Sequence, residues 1–199
     1  MACIALFGGS FDPPTLGHVA TARNVLDSGL IDQLWFVPAG DDRYDRPVVA
    51  SSSDRRKMVE LCISEVFPED ARVRLEPAQL EGRLPGSAAI DLVDFVKARD
   101  PGHALFFVIG VDNIEKIAQW REAERLTQSV RFLAVPRVGE AIAPQIPPYV
   151  TVIEGGEHSN AASSTVRERL RRGEAVDELV SPGVRAYIAA QGLYAAGPR

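Results

Sequence analysis

Residues 8–18, with the sequence GGSFDPPTLGH, constrain the fold of this chain more than any other segment. They follow a short apolar run at residues 4–7, which predicts a buried first strand, and they lead into a helical pattern. Glycines at such a turn let backbone N–H groups approach an anion closely, and the start of the helix adds partial positive charge. The segment therefore predicts a phosphate site at the first strand-to-helix turn. The residues expected to line it are Gly8, Gly9, Ser10 and Phe11.

Three side chains in the same segment are candidates for chemistry. His18 falls in the first turn of the helix, where its imidazole can donate to a phosphate oxygen or carry a positive charge near neutral pH. The hydroxyl of Thr15 is either a second phosphate donor or only the N-cap of the helix. Asp12 precedes two prolines and is either a cap that stabilises the loop or a catalytic carboxylate.

A second candidate segment lies near the C-terminus, where residues 161–167 read AASSTVR. Small hydroxyl residues followed by an apolar pattern predict a helix N-terminus, which is a second place for an anion. Arg167, one turn inside this helix, can bind a polyphosphate through two parallel N–H groups. The hydroxyl residues beside it are Ser163, Ser164 and Thr165.

A third candidate segment follows the apolar run at residues 105–110. Gly110 at the end of this predicted strand lets a ligand lie against the backbone, and Asp112 can accept hydrogen bonds from ribose hydroxyls or amides. Trp120 either stacks on an aromatic ring of a ligand or is a packing residue.

Apolar runs alternate with helical patterns along the whole chain, which predicts an α/β fold of the Rossmann-like class. We expect a doubly wound parallel sheet with helices on both faces, in one domain over residues 1–199 with a C-terminal helical part at about 163–194. The predicted strands are 4–7, 33–38, 73–75, 105–110, 131–136 and 150–153, and the predicted helices are 16–28, 53–66, 87–99, 113–118, 121–126 and 163–172. Ligands of such sheets bind beyond the carboxyl ends of the strands, where the strand order reverses.

Composition and charge narrow the class of protein. The formal net charge of −5 argues against a nucleic-acid-binding surface, which carries a basic excess. No run reaches the ~18 apolar residues that span a bilayer, and Cys3 and Cys62 are not part of a C-x-x-C pair. We therefore expect a cytoplasmic protein with no nucleic-acid or membrane partner, and the sequence leaves homo-oligomerisation open.

Two of these segments resemble motifs of the nucleotidyltransferase superfamily. Residues 15–18, TLGH, resemble its [HT]-x-G-H signature, and residues 162–167 resemble its S-S-T-x-x-R motif. Alignment on Arg167 places Ala162, Ser163 and Ser164 on S-S-T, whereas a shift by one residue matches Ser163, Ser164 and Thr165 with a shortened spacer. The resemblance implies attack on the α-phosphate of a nucleoside triphosphate.

The chain resembles the bacterial nicotinate-nucleotide adenylyltransferases over nearly its whole length. The I-G-A-D…W pattern of that family corresponds to residues 109–112 and Trp120, its R-P-G to residues 137–139, and its C-terminal R-E-x-L…L-Y to residues 167–194. This resemblance implies transfer of AMP from ATP to nicotinate mononucleotide, giving deamido-NAD and pyrophosphate, with Mg²⁺ bound through the ATP phosphates and no metal site on the protein. His18, Thr15 and Arg167 are then expected to be catalytic, and the residues expected to contact the pyridine nucleotide or the adenosine are Gly110, Asp112, Trp120, Arg137 and Arg46.

The chain departs from the family pattern at three places. Thr15 stands where this family usually has histidine, and Ala89 falls where a threonine is expected near the pyridine ring. The loop at 41–46 lacks the lysine of the family's P-P-H-K, so Arg43 or Arg46 would have to supply its charge. Two alternatives follow: an adenylyltransferase for nicotinamide mononucleotide or phosphopantetheine, or a non-catalytic nucleotide-binding homologue.

Overall fold

The computed structural model describes residues 1–41, 48–84, 88–137, 139, 145–157 and 159–195. Its strands are β1 Cys3–Gly9, β2 Gln33–Pro38, β3 Val73–Leu75, β4 Ala104–Gly110, β5 Arg131–Val135 and β6 Val150–Val152. Its α-helices are α1 Leu16–Asp27, α2 Ser52–Val66, α3 Ala89–Arg99, α4 Ala123–Ser129, α5 Ser163–Arg171 and α6 Pro182–Gln191. A 3-10 helix, Val111–Gln119, follows β4 directly.

The six strands form one sheet in the order β3-β2-β1-β4-β5-β6, and every neighbouring pair is parallel. The chain builds outward from β1 to β3, returns to the centre at β4 and builds outward on the other side. This order confirms the predicted doubly wound Rossmann-like fold. The strand order reverses between β1 and β4, which is where ligands of such sheets bind.

Alternate residues along β1 point to opposite faces of the sheet and enter two different cores. Ala5 and Phe7 pack in a cluster with residues of α1, α2, α5 and α6. Ile4 and Leu6 pack in a second cluster with residues of α3, α4 and the 3-10 helix. Helices therefore cover both faces, and the near-continuous burial of Ile4, Ala5, Leu6 and Phe7 is typical of a central parallel strand.

Most predicted elements agree with the structure to within two residues, and the differences have local causes. The predicted helix at 113–118 is the longer 3-10 helix Val111–Gln119, whose C-cap is Trp120. The predicted helix at 121–126 begins two residues later, because Glu122 adopts a left-handed conformation with φ 52°. Helix α6 lies within the C-terminal part, at about 163–194, that was predicted to be helical. Within that part, bounds were predicted for one helix only, at 163–172, which corresponds to α5.

Two general expectations can be compared with the described part of the chain. Cys3 and Cys62 are both free thiols there, and burial raises the pKa of Cys62 to about 12. Among the helices of these residues, none combines the length and the apolar composition needed to cross a membrane.

Candidate active site at the reversal of strand order

The central strands separate at their carboxyl ends. Pairing between β1 and β4 runs as far as Leu6 and Phe107, and within the described residues it goes no further. Gly8 and Gly9 of β1 pair instead with β2, and Gly110 of β4 pairs with β5. A crevice therefore opens between the first and the third candidate segment.

Aromatic rings lie close to both glycines at the start of the first segment. A Cβ on Gly9 would lie 3.1 Å from the ring of Phe11, and a Cβ on Gly8 would lie 3.3 Å from the ring of Phe107. Phe11 itself has a left-handed backbone, with φ 47°, and its buried ring lies 4.9 Å from the ring of His18. The turn therefore packs the ring of Phe11 against His18, and the backbone of the turn faces the crevice.

His18 is held in one tautomer by the start of α1. It is the third residue of the helix, and the backbone N–H of the N-cap residue Thr15 donates to its Nδ1 at 3.0 Å. This is the geometry of a capping box, with histidine in the place of glutamate or glutamine. Because Nδ1 accepts a hydrogen bond, the ring proton of the neutral imidazole is on Nε2.

Burial, with a smaller contribution from the positive charge of Arg137, lowers the pKa of His18 from 6.5 to about 4. The imidazole is therefore neutral at pH 7 and presents an Nε2–H donor rather than a cation. The sequence alone was compatible with both the neutral and the charged state of His18.

The hydroxyl of Thr15 joins the first candidate segment to the second. It is buried, donates to the carbonyl oxygen of Ala161 at 2.7 Å and lies 2.9 Å from Nδ1 of His18. A Cβ on Gly17 would overlap the same carbonyl oxygen, so glycine lets the two backbones approach. Of the two roles considered for Thr15, its place at the N-cap is observed, but its hydroxyl hydrogen is directed at Ala161 rather than at the helix or the crevice.

Two more hydrogen bonds join the second segment to the first. The hydroxyl of Ser163, at the start of α5, donates to the carbonyl oxygen of Pro13 at 2.8 Å. The guanidinium of Arg167 donates to the carbonyl oxygen of Asp12 at 2.7 Å, while its buried Nε has no hydrogen-bond partner among the described residues. Ser164 and Thr165 are exposed at the same helix start. The N-termini of α1 and α5 therefore meet at one loop.

Asp12 fixes that loop through contacts with distant parts of the chain. Its buried carboxylate accepts hydrogen bonds from the backbone N–H groups of Val49 and Ala50 at 2.7 and 3.0 Å, and from the hydroxyl of Tyr194 at 2.6 Å. The stabilising role considered for Asp12 is therefore observed, although it ties the loop to remote segments rather than capping a local turn. All three donors compete with any direct role of this carboxylate in chemistry.

Arg55 is a positioning residue that the sequence analysis missed. Its fully buried guanidinium donates to the carbonyl oxygens of Ser10 and Ala39 at 2.9 and 2.6 Å and pairs with Asp41 at 2.8 Å. It lies among charged residues in α2, and such a run is usually solvated. Its burial is indicated by the sequence in one respect. Met58, Val59 and Cys62 follow it by three, four and seven residues, and this spacing puts it on the same, buried face of the helix.

The third segment is organised by short-range contacts. A Cβ on Gly110 would overlap the carboxylate of Asp112, which accepts hydrogen bonds from Asn113 at 2.9 Å and Lys116 at 3.4 Å. The half-buried ring of Trp120 packs edge-on against Phe107 and Phe132, at 5.9 and 6.0 Å. These packing contacts were one of the two roles considered for Trp120.

Three arginines complete the predicted set. Arg137 is exposed, and Arg43 and Arg46 lie outside the described residues. Across the described ranges, His, Cys, Asp and Glu side chains form no group of three or more that could hold a metal ion.

The chain is similar to known proteins over most of its length. Residues 6–169 match the family model described as cytidylyltransferase-like. The chain is 34% identical over 197 residues to a protein named probable nicotinate-nucleotide adenylyltransferase from Geobacillus kaustophilus, covering 98% of this chain and 88% of that one. It is 31% identical over 195 residues to the nicotinate-nucleotide adenylyltransferase of Bacillus subtilis, covering 98% and 99%.

Solved structures show the same fold. The nicotinic acid mononucleotide adenylyltransferase of Plasmodium falciparum, complexed with NaAD, superposes with a TM-score of 0.80 at 24% identity over 98% of both chains. The same enzyme complexed with APC gives a TM-score of 0.80 at 23% identity. The fold, the family model and the whole-length identity to curated relatives lead to one conclusion: this chain belongs to the cytidylyltransferase-like family and, within it, to the nicotinate-nucleotide adenylyltransferases.

Proposed function

We propose that this chain transfers AMP from ATP to nicotinate mononucleotide in NAD biosynthesis. A phosphate oxygen of the mononucleotide attacks the α-phosphorus of ATP, the bond from that phosphorus to the bridging oxygen of the β-phosphate breaks, and pyrophosphate leaves. The product is deamido-NAD. In such a transfer the protein mainly positions the two reactants and stabilises charge on the phosphates.

The observation that carries this proposal is the convergence of two helix N-termini on one loop. Thr15 donates to Ala161, Ser163 to Pro13 and Arg167 to Asp12, so the starts of α1 and α5 are fixed to each other. Each helix start favours an anion. The triphosphate of ATP is an anion long enough to contact both helix starts.

The roles of the side chains follow from their chemistry. His18 donates through Nε2–H to a phosphate oxygen of ATP, and its neutral state lets it do so without a change of protonation. Arg167 binds the leaving pyrophosphate with N–H groups that the Asp12 carbonyl does not use, including its unpartnered Nε. The backbone at Gly8, Gly9, Ser10 and Phe11 lines the floor of the site, and Ser164 and Thr165 offer further hydroxyls. Thr15 acts by holding the histidine and Ala161 together.

The acceptor occupies the other side of the crevice in this proposal. Trp120 contributes an aromatic surface for the pyridine ring, supported by its edge contacts with Phe107 and Phe132. Asp112 accepts from ribose hydroxyls beside Gly110, and Arg137 contributes positive charge toward the doubly anionic mononucleotide. Arg46 is proposed to assist from the loop that replaces P-P-H-K.

ATP enters this reaction as its magnesium complex. The described residues offer no cluster of metal-ligating side chains, and the carboxylate of Asp12 already accepts three hydrogen bonds. In this proposal the Mg²⁺ bound to the phosphates is part of the substrate, where it neutralises negative charge.

A pyrophosphate-release assay with ATP and one acceptor at a time tests the proposal. We expect the highest kcat/KM with nicotinate mononucleotide. A higher value with nicotinamide mononucleotide or phosphopantetheine, the acceptors that Thr15 and Ala89 leave open, would show that the acceptor is wrong. ATP binding without pyrophosphate release from any of the three would instead identify a non-catalytic binding protein.

A further inference from the structure

The geometry points to Tyr194, at the C-terminal end of the described chain, as a positioning residue for the phosphate site. We infer that its hydroxyl holds Asp12 in the orientation that lets the Asp12 carbonyl fix Arg167. The inference rests on the proposed function, because it assigns Arg167 to the triphosphate. It makes the segment that follows α6 a working part of a site whose motifs lie in the first and the second segment.

Asp12 is the point at which these contacts meet. Its carboxylate accepts from Tyr194 at 2.6 Å and from the backbone of Val49 and Ala50, and its carbonyl accepts from Arg167 at 2.7 Å. Tyr194 and Ala50 share the same carboxylate oxygen. Loss of the tyrosine hydroxyl leaves a buried oxygen with one donor fewer, and the cost of that loss favours rotation of the loop toward another donor.

The backbone around Tyr194 directs its side chain inward. Helix α6 ends at Gly192, which is left-handed with φ 62°, and Tyr194 is itself left-handed with φ 63°. The backbone N–H of Leu193 donates to the carbonyl oxygen of Ile188 at 3.0 Å, so the chain turns back against the helix. A left-handed tyrosine is uncommon, and here the conformation places a buried ring beneath the phosphate loop.

The hydroxyl of Tyr194 is a donor throughout the working pH range. Burial, followed by the hydrogen bond to Asp12, raises its pKa above the ordinary value, and the positive charges of Arg167 and Arg55 oppose that change only in part. Asp12, Arg167 and Arg55 are the charged groups that act on it. Its contact with the carboxylate therefore does not switch with pH.

Tyr187, which lies on α6 itself, provides a control. Its hydroxyl donates to the carboxylate of Asp54 at 2.8 Å, so it ties the C-terminal region to α2 rather than to Asp12. Tyr194→Phe and Tyr187→Phe each remove one tyrosine hydroxyl that donates a hydrogen bond to an aspartate carboxylate. A purely structural role predicts similar consequences for both variants, and a positioning role does not.

The experiment compares wild type and both variants by steady-state kinetics, by calorimetric titration with inorganic pyrophosphate and by thermal unfolding. We expect Tyr194→Phe to lower kcat/KM for ATP by about tenfold, because small displacements of positioned groups have large effects. It should weaken pyrophosphate binding several-fold and leave the KM for nicotinate mononucleotide within about twofold. Tyr187→Phe should change each kinetic and binding quantity by less than about twofold, and thermal unfolding reports the structural cost of each variant separately.

Equal losses in the two variants, or unchanged pyrophosphate affinity in Tyr194→Phe, would overturn the inference. The outcome is separable from failure of the proposed function. If wild type does not turn over nicotinate mononucleotide, the proposed function fails, and pyrophosphate affinity still shows whether Tyr194 supports the phosphate site.

Discussion

The two sides of the crevice are built in different ways. On the phosphate side, the loop that ends at Thr15 is hydrogen-bonded to residues far away in sequence, including Ala161, Arg167 and Tyr194. On the acceptor side, Asp112 bonds to its own neighbours Asn113 and Lys116. In the proposed function, the phosphates therefore bind to a cross-linked frame, whereas more exposed side chains recognise the acceptor.

The two sides of the crevice should therefore respond differently to substitution. A change on the phosphate side should alter ATP binding and turnover together, because one loop carries both. A change on the acceptor side should raise the KM for nicotinate mononucleotide and leave ATP binding intact. Kinetic constants for the two substrates can therefore be compared directly.

The largest expected effect is that of His18→Ala. Loss of a preorganised donor to the transferring phosphates should lower kcat by about two orders of magnitude or more. Pyrophosphate release measures the change, and far-ultraviolet circular dichroism checks that the variant is folded. Turnover equal to that of wild type would remove the imidazole from the chemistry.

Arg167→Gln should have the next largest effect. A hydrogen bond to a charged group contributes about 1.5–3 kcal/mol, which corresponds to about 10- to 100-fold in pyrophosphate or ATP affinity. Arg171→Gln is the matched control, because Arg171 lies one turn later on α5, is exposed and pairs with Glu168 at 3.3 Å. Similar losses in both variants would indicate only a general effect of charge.

Gly17→Ala tests the close approach of the two segments. Alanine normally stabilises a helix relative to glycine by about 1 kcal/mol, but here its Cβ would overlap the carbonyl oxygen of Ala161. Overpacking of this kind costs about 1–3 kcal/mol. We expect a net fall in the free energy of unfolding, measured with urea, together with reduced turnover. A more stable, fully active variant would show that the contact is dispensable.

Trp120→Phe tests the acceptor side. Loss of the larger aromatic surface should raise the KM for nicotinate mononucleotide about 3- to 10-fold, as expected for an aromatic pair worth about 0.5–1.5 kcal/mol. The KM for ATP is the internal control and should remain within about twofold. An equal rise in both constants would contradict the division of the crevice into two sides.

The last prediction concerns the dependence of stability on pH. The pKa of His18 is about 4 in the folded protein and 6.5 as its ordinary value, so the unfolded chain binds its proton first as the pH falls. The free energy of unfolding should decrease as pH is lowered from 6.5 toward 4. His18→Gln keeps a side chain able to accept from the backbone of Thr15 but cannot titrate, so its pH dependence should be flatter. Parallel curves for the two proteins would show that His18 does not carry this dependence.

The sequence predicted the features that depend on local pattern. The order of strands and helices follows from apolar periodicity, the starts of α1 and α5 follow from glycine and hydroxyl residues, and the doubly wound class follows from the alternation of strands and helices. The assignment of His18 to the first helical turn is of the same kind, since its spacing from the strand is local. The resemblance to a family then narrowed the acceptor.

The cross-links of the site could not be predicted, because they join residues that are far apart in the chain. Nothing near Asp12 indicates that Tyr194 donates to it, and the charged neighbours of Arg55 mask its burial. The two roles left open for Thr15 were both local, whereas its hydroxyl bonds to Ala161. The neutral state of His18 likewise depends on burial and on Arg137, which only the fold brings close.

A crystal structure with a non-hydrolysable ATP analogue tests the central claim most directly. If one triphosphate is bound by both helix N-termini, the Nε2 of His18 and the guanidinium of Arg167 should each lie about 3 Å from oxygens of the same triphosphate. The claim would be contradicted by an analogue bound with its phosphates against one of these residues while the other faces away from them.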